Sequence, residues 1–326
     1  MGTRARATVA DRSEAGALAA IDEVRRIFDR VDATMSNWAA ESDLSRLNRG
    51  AGRGAVRVED AGLASCIEAA LDAARLTGGA YDPTVGPLMT LWGFRSRSHR
   101  VPDDAAVAEA LTRVGADKVR YAAQSVSFDR EGMELDLGGV AVGCALDEAR
   151  VALAGRGRRF GLLDVGGDLA WFGDPPGGNV VAVIADPRRP EAACAEARLP
   201  GGSAAATSSN LENRFTAGGV AYGHIMDPRT GRPASTDIVQ ATAFHRSATV
   251  TDVLSTALVV AGSERAAALL AAYPGAEAVL VLREGHGLAL TASRSLEGRL
   301  TVEAAAGLAG PRFTLPAATM PPPPAR

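Results

Sequence analysis

The strongest constraint on this chain is a change in the period of its apolar residues. Leu18, Ile21, Val24, Phe28 and Val31 recur at steps of three and four with charges between them, which predicts an amphipathic helix of about six turns ending in the polar turn Met35-Ser36-Asn37-Trp38. From Lys118 the period shortens toward two, in Val119/Tyr121, Val126/Phe128 and Met133/Leu135/Leu137, each run bounded by polar residues or glycine, as in a meander of strands. Further helices are expected from the N-cap Asp60 to Gly78-Gly79, around Val107, Leu111 and Val114, from Val142 to Ala154, from Thr251 to Val260 and from Glu264 to Ala272. Strands are expected at Leu162 to Val165, Val180 to Ile184, Ala204 to Thr207, Val220 to Met226 and Ile238 to Phe244. Val279 to Leu282 and Leu288 to Thr291 should form a hairpin across Glu284-Gly285-His286-Gly287. Helices and strands alternate without a regular βαβ repeat. The fold class is therefore α+β, with mixed, largely antiparallel sheets flanked by helices.

The 326 residues allow two domains or one large two-lobed domain. Residues 1–310 are read as a single domain, and the proline-rich stretch 311–326 as a flexible, extended tail. Lys and Arg total 35 against 38 Asp and Glu, a formal charge of −3, so no basic field is available to hold a nucleic acid. Cys66, Cys144 and Cys194 share no metal-ligand spacing and read as small buried hydrophobes. No run of apolar residues is long enough to span a bilayer, so no transmembrane segment is expected. The first residues lack the pattern of a secretory signal, which places the chain in the cytoplasm as it stands, or in an exported or anchored form whose leader is absent.

Four junctions carry chemistry. Gly138-Gly139-Val140-Ala141-Val142-Gly143 lies where a strand hands over to a helix, which is either an anion site built from backbone amides or simply a tight bend. Gly166-Gly167-Asp168 offers the same two readings. Asp252 and Thr256, four apart on a helix, face one side and can present hard oxygens to Mg²⁺, unless Asp252 is only a helix cap. His224 and Asp227 stand together at a strand end that enters a Pro/Gly turn, where a neutral imidazole can serve as general base. His99, His245 and His286 have no such setting and read as surface residues.

Taken together, Met35 to Trp38, Ser42 to Asn48, Gly79 to Pro87 with Leu91 to Phe94, Leu135 to Gly139, Asp164 to Asp168, Ala206 to Ser208, His224 to Gly231 and Asp252 to Thr256 closely resemble, in order, the motifs of the ApbE family of FAD:protein FMN transferases. The resemblance implies a two-lobed fold with the flavin site between the lobes. The implied activity is Mg²⁺-dependent transfer of FMN from FAD to a Thr or Ser hydroxyl of a target protein, with release of AMP. It further implies that Met35, Ala80, Tyr81, Asp82, Asp136, Val142 and Met226 contact FAD, and that Gly139, Asp252, Ser255 and Thr256 hold Mg²⁺. His224 would act as the base, beside Asp227. Where the family carries Gly-x-x-Lys-Gly-Tyr this chain reads Gly139 to Cys144, with Val142 at the lysine position. An FAD hydrolase giving FMN and AMP, and an FAD-binding protein without chemistry, are the alternatives.

Overall fold

The computed structural model of the chain describes residues 3–154, 158–173, 175 and 178–318. Eight α-helices are present among them: α1 (Glu14–Met35), α2 (Asp43–Arg49), α3 (Ala61–Leu76), α4 (Gly86–Leu91), α5 (Asp104–Leu111), α6 (Ala141–Ala154), α7 (Ala248–Ala261) and α8 (Ser263–Ala271). Their starts follow the capping chemistry of the sequence. Ser13, Ser42, Asp60, Asp103 and Ser247 each accept a hydrogen bond from a backbone amide of the first turn, for example Leu63 N to Asp60 Oδ1 at 2.7 Å.

One eight-stranded sheet organises the molecule. Across it run Ala5–Ala10, Phe160–Val165, Asp168–Gly173, Ala204–Ser209, Ile238–His245, Glu277–Glu284, Gly287–Ser293 and Ala309–Leu315. Every neighbouring pair is antiparallel except the last, which is parallel. This is a mixed α+β fold, as the periodicity predicts. The central strand Ile238–His245 is buried on both faces, and its side chains alternate between them. Ala241 and Ala243 join the cluster that contains α1, α3, α6 and α7, while Phe244 joins the cluster on the far side. That far side is covered by a three-stranded sheet of Val180–Asp186, Arg189–Leu199 and Leu300–Val302, with Trp171, Val279 and Leu290 beneath it. On the helical side the middle of the sheet presents five alanines, Ala170, Ala204, Ala241, Ala243 and Ala278, beside larger residues such as Leu163, Ile238 and Leu280, and over the alanines the helices lie close. A third, smaller cluster joins α4 and α5 to Met226, Phe215 and Tyr222.

The expected hairpin forms with Glu284 opposite Gly287 and a two-residue turn. Other expectations need correction. Met133–Leu137 is extended but pairs with no strand, because the Asn48 side chain takes both polar groups of Leu135 (Nδ2 to the carbonyl at 2.9 Å, Oδ1 from the amide at 2.8 Å) and Pro83 O takes the amide of Asp136. Val220 to Met226 is split into Val220–Tyr222 and Met226–Asp227, so His224 lies in a bend between two short strands. The start of the expected tail is not free. Ala309–Leu315 is the edge strand, tied to the sheet by Thr291 Oγ1 donating to Arg312 O at 2.9 Å, whereas the four consecutive prolines lie outside the described residues. Arg189–Leu199 and Ala5–Ala10 are strands that periodicity missed, since their alanine- and arginine-rich runs carry little β-preference. His245 is half-buried, with Nδ1 accepting from Ser247 N at 3.0 Å, rather than a surface residue.

Helices α6 and α7 touch at Gly143. A Cβ built there would stand 2.5 Å from Ala248 O and 2.7 Å from Thr249 Cα, both backbone atoms of α7. Only the absence of a side chain permits this crossing. Gly143→Ala should therefore destabilise the fold by about 1–3 kcal/mol, despite the higher helix propensity of alanine, through overpacking against an immobile backbone. Urea unfolding checks this, and a variant as stable as the parent would show that the helices separate freely.

Candidate functional site

The crossing sets the first turn of α6 against the first turn of α7, and the turn that precedes α6 then reaches the middle of α7 at Thr256. The turn Gly138-Gly139-Val140 precedes α6, and it is shaped by Asp136, whose Oδ1 accepts from Gly138 N at 2.9 Å. Asp136 is itself held by Arg95 at 3.1 Å, which also pairs with Glu134 at 2.7 Å. Gly139 comes so close to α7 that a Cβ on it would lie 3.4 Å from Thr256 Oγ1 and 3.3 Å from the ring of Tyr81. Here the glycines serve close approach and not only a bend.

Helix α7 is buried on nearly every side, yet five of its buried or half-buried residues carry oxygen; Thr249 and Thr251 bond at the helix start, to Asp147 and to Ala248 O, and Asp252, Ser255 and Thr256 are left to the site. Asp252 is not the cap. Ser247 fills that role, and Asp252 lies inside the helix with Oδ2 accepting from Gly143 N at 3.0 Å. Ser208, on the strand Ala204–Ser209, lies 2.8 Å from Ser255 Oγ and 3.1 Å from Thr256 Oγ1. Ser255 Oγ also donates to Asp252 O at 2.9 Å, so its hydroxyl sits behind the cleft wall as part of a hydroxyl network.

A second carboxylate faces this group. Asp168 follows Gly166 and Gly167, both at positive φ, in a tight hairpin turn, and its Oδ1 accepts from Thr207 N at 3.2 Å. Burial pushes the Asp168 carboxyl well above the usual range, and the neighbouring Asp252 adds to that shift. Burial likewise raises Asp252 to about 7, against which the Gly143 N–H works in the opposite direction. No arginine or lysine lines this cleft among the described residues. The arrangement is a buried to half-buried set of hard oxygens with no Arg or Lys in the cleft lining, and its donor chemistry fits a hard divalent ion that takes its remaining ligands from substrate and water. Nowhere among the described residues do three or more His, Cys, Asp or Glu gather as a self-sufficient metal cage.

These groups line a cleft of about 280 Å³ together with Ala80, Tyr81, Asp82, Met226 and His224. It adjoins a second hollow of about 200 Å³ lined by Met35, Trp38, Val142 and Arg95, the two sharing Met89, Asp136 and Gly138. The first compartment is the more polar of the two, and the second is largely apolar. His224 Nδ1 lies 3.2 Å from the carbonyl of Glu212. Since a carbonyl only accepts, Nδ1 carries the proton in that bond and the free lone pair is on Nε2. Burial lowers the His224 pKa below its ordinary value.

The structure brings most of the expected residues together and sets some apart. Asp82 lines the polar cleft, but its oxygens are taken by Thr84 N, Thr84 Oγ1 and Ala116 N, at 2.8, 2.5 and 3.0 Å, so it shapes the wall. Asp227 does not line either compartment; its carboxylate receives Arg229 through Nε and Nη2, each at 2.9 Å, and organises the Pro228 turn. Reading the sequence alone missed Asp168 as a site group, along with Ser208 and Glu212. For Asp168 the signal was present as Gly-Gly-Asp after a strand; its burial beside Asp252 was not.

The profile of the ApbE family matches residues 1–280, so the chain belongs to the ApbE family of flavin transferases. Among its relatives is a protein of Treponema pallidum named FAD:protein FMN transferase, 32% identical over 86% of this chain and 82% of its own length. Another of the same name, from Vibrio cholerae, is 32% identical over 76% of this chain and 75% of its own. The fold agrees. The crystal structure of the ApbE protein from Thermotoga maritima superposes with a TM-score of 0.78 at 32% identity, covering 86% of this chain and 91% of that one. The apo flavinyl transferase ApbE of Pseudomonas stutzeri gives 0.79 at 26%, over 91% and 96%.

The Asp252 shift has a stability consequence. Between the ordinary Asp pKa of about 4 and the raised value, the folded chain keeps a proton that the unfolded chain has released, so folding weakens as pH rises across that window. In metal-free buffer containing a chelator, Tm should fall from about pH 5 to about pH 8, and Asp252→Asn should fall less over the same range. Identical pH profiles for the two proteins would mean that Asp252 ionises as freely as a surface carboxylate.

Proposed function

We propose that this chain transfers FMN from FAD to a Thr or Ser hydroxyl of a target protein and releases AMP. The observation that carries the reading is the meeting, at one cleft, of the Gly138-Gly139 turn, the Asp252/Thr256 oxygens and a half-buried neutral histidine. Membership of the ApbE family and relatives named FAD:protein FMN transferase support it. The apolar hollow around Met35, Trp38 and Val142 suits the flat flavin ring, and the polar cleft suits the diphosphate.

Asp252, Thr256 and the Gly139 carbonyl, with Asp168 beside them, would hold Mg²⁺, and Ser255 would brace Asp252 and Ser208 from behind the cleft wall. When bound, that ion neutralises diphosphate charge and stabilises the departing phosphate oxygen. The work of the protein groups follows from their placement. His224, with Nδ1–H committed to Glu212, offers Nε2 to the acceptor hydroxyl and takes its proton. The hydroxyl oxygen forms a bond to the phosphorus of the FMN half while the bond from that phosphorus to the bridging oxygen breaks. AMP leaves with the bridging oxygen. The buried walls contributed by Tyr81 and Met226 limit the access of water, which would otherwise yield free FMN.

Incubating the protein with FAD, Mg²⁺ and a Thr-containing acceptor protein, then weighing the acceptor, tests the reading. The expected result is a mass gain of one FMN less one water, as a phosphoester bond requires. FMN released equally with and without acceptor would replace transfer by hydrolysis, and no chemistry despite tight FAD binding would replace it by storage. His224→Ala should keep FAD affinity and lose roughly 10²- to 10⁴-fold in rate. Because burial holds its pKa below the ordinary value of about 6.5, the wild-type rate should fall only on the acid side of that value. A mutant as fast as the parent would remove His224 from the mechanism. Asp252→Ala should abolish transfer at any Mg²⁺ concentration with the fold intact by circular dichroism, and normal turnover would exclude Asp252 as a metal ligand.

A further inference from the structure

We infer that Asp147 is a positioning residue for the metal site, acting by locking the register of α6 along α7; the inference rests on the proposed Mg²⁺-dependent reading of that site. Asp147 lies on α6 one turn beyond Gly143, and its carboxylate caps the start of α7 from outside that helix. It accepts from Ala248 N at 2.9 Å, Thr249 N at 3.0 Å, Ser247 Oγ at 2.6 Å and Thr249 Oγ1 at 2.9 Å, while Arg150 pairs with it at 2.9 Å. Ser247 also caps α7 by itself, through Val250 N, so Asp147 adds a tether between helices where a local cap already exists.

The tether has a reciprocal partner. Gly143 on α6 donates to Asp252 on α7, and Asp147 on α6 accepts from Ala248 and Thr249 on α7. The two residues of α6 are four apart, and so are Ala248 and Asp252. One turn of each helix is thus matched to one turn of the other, with a negative charge at the positive end of α7. A shift along this contact would move Gly139 off Thr256, where a Cβ would now be 3.4 Å from the hydroxyl, and would take the Gly143 N–H from Asp252. Asp147 lines neither compartment of the site, so it acts through the helix it holds.

The test is a metal titration. Mg²⁺ is added to the FAD-loaded protein and its apparent Kd read by calorimetry, with FAD affinity measured separately in chelator. Asp147→Ala should weaken Mg²⁺ by about 10- to 100-fold, the usual effect of losing a group that orients metal ligands, and leave FAD affinity in chelator unchanged. Asp147→Asn, which keeps an oxygen acceptor, should fall between it and the parent and serves if the alanine variant does not fold. Leu153→Ala, a buried apolar truncation in the same helix, should lower Tm without changing the Mg²⁺ Kd. Unchanged Mg²⁺ affinity in both Asp147 variants, or an equal loss in Leu153→Ala, would overturn the inference. If the unmutated chain binds no Mg²⁺ in the presence of FAD, the metal reading itself fails and the positioning role falls with it.

Discussion

The contact of α6 with α7 at Gly143 is the constraint on which the rest of the site depends. Two helices can approach this closely only where one has no side chain, and the gain is a backbone amide delivered to a buried carboxylate, Gly143 N to Asp252 Oδ2 at 3.0 Å. The alanines of the underlying sheet make the same contribution one layer down. By presenting little more than Cβ atoms, Ala204, Ala241 and Ala243 let α7 settle onto the strands that carry Thr207 and Ser208. The Gly138-Gly139 turn, the α7 oxygens and the strand hydroxyls then meet without any long side chain reaching across.

That economy has an electrostatic cost. Half-buried Asp168 lies near buried Asp252 with few donors between them, and both carboxyls are pushed upward by desolvation. A fold selected for stability alone would replace such a pair by apolar residues or give it an arginine. The nearby arginine, Arg95, is instead committed to Glu134 and Asp136 on the wall of the apolar hollow. The strain is therefore concentrated in the polar compartment, where a divalent cation would relieve it and in turn hold the charge of a diphosphate, and this supports the proposed chemistry more strongly than any single side chain does.

The helices were legible because their signals are local. Asp60, capping Leu63 N, and the threefold and fourfold steps from Val24 to Val31 depend on residues within a few turns. The i, i+4 spacing of Asp252 and Thr256 was enough to place both on one face of α7. The strand Met133–Leu137 failed for the opposite reason. Its alternation is real, but its hydrogen-bond partner is a side chain 87 residues away, Asn48, and no period in the sequence records that. Asp227 looked equivalent to His224 from its position three residues on, and only the turn geometry shows it committed to Arg229.

What the sequence by itself determined, then, is the long helices, the α+β class, and the motifs that mark the ApbE family, because these reside in spacing and composition. The tertiary structure alone decided which oxygens share a cavity. Asp168 sits 84 residues before Asp252 and reads as a turn residue until the sheet places its hairpin under α7. Burial, and with it the upward shift of both carboxyls, is a property of that packing. A carboxylate's pKa depends on what surrounds it in space, and nothing in the order of residues along the chain expresses how far water has been removed.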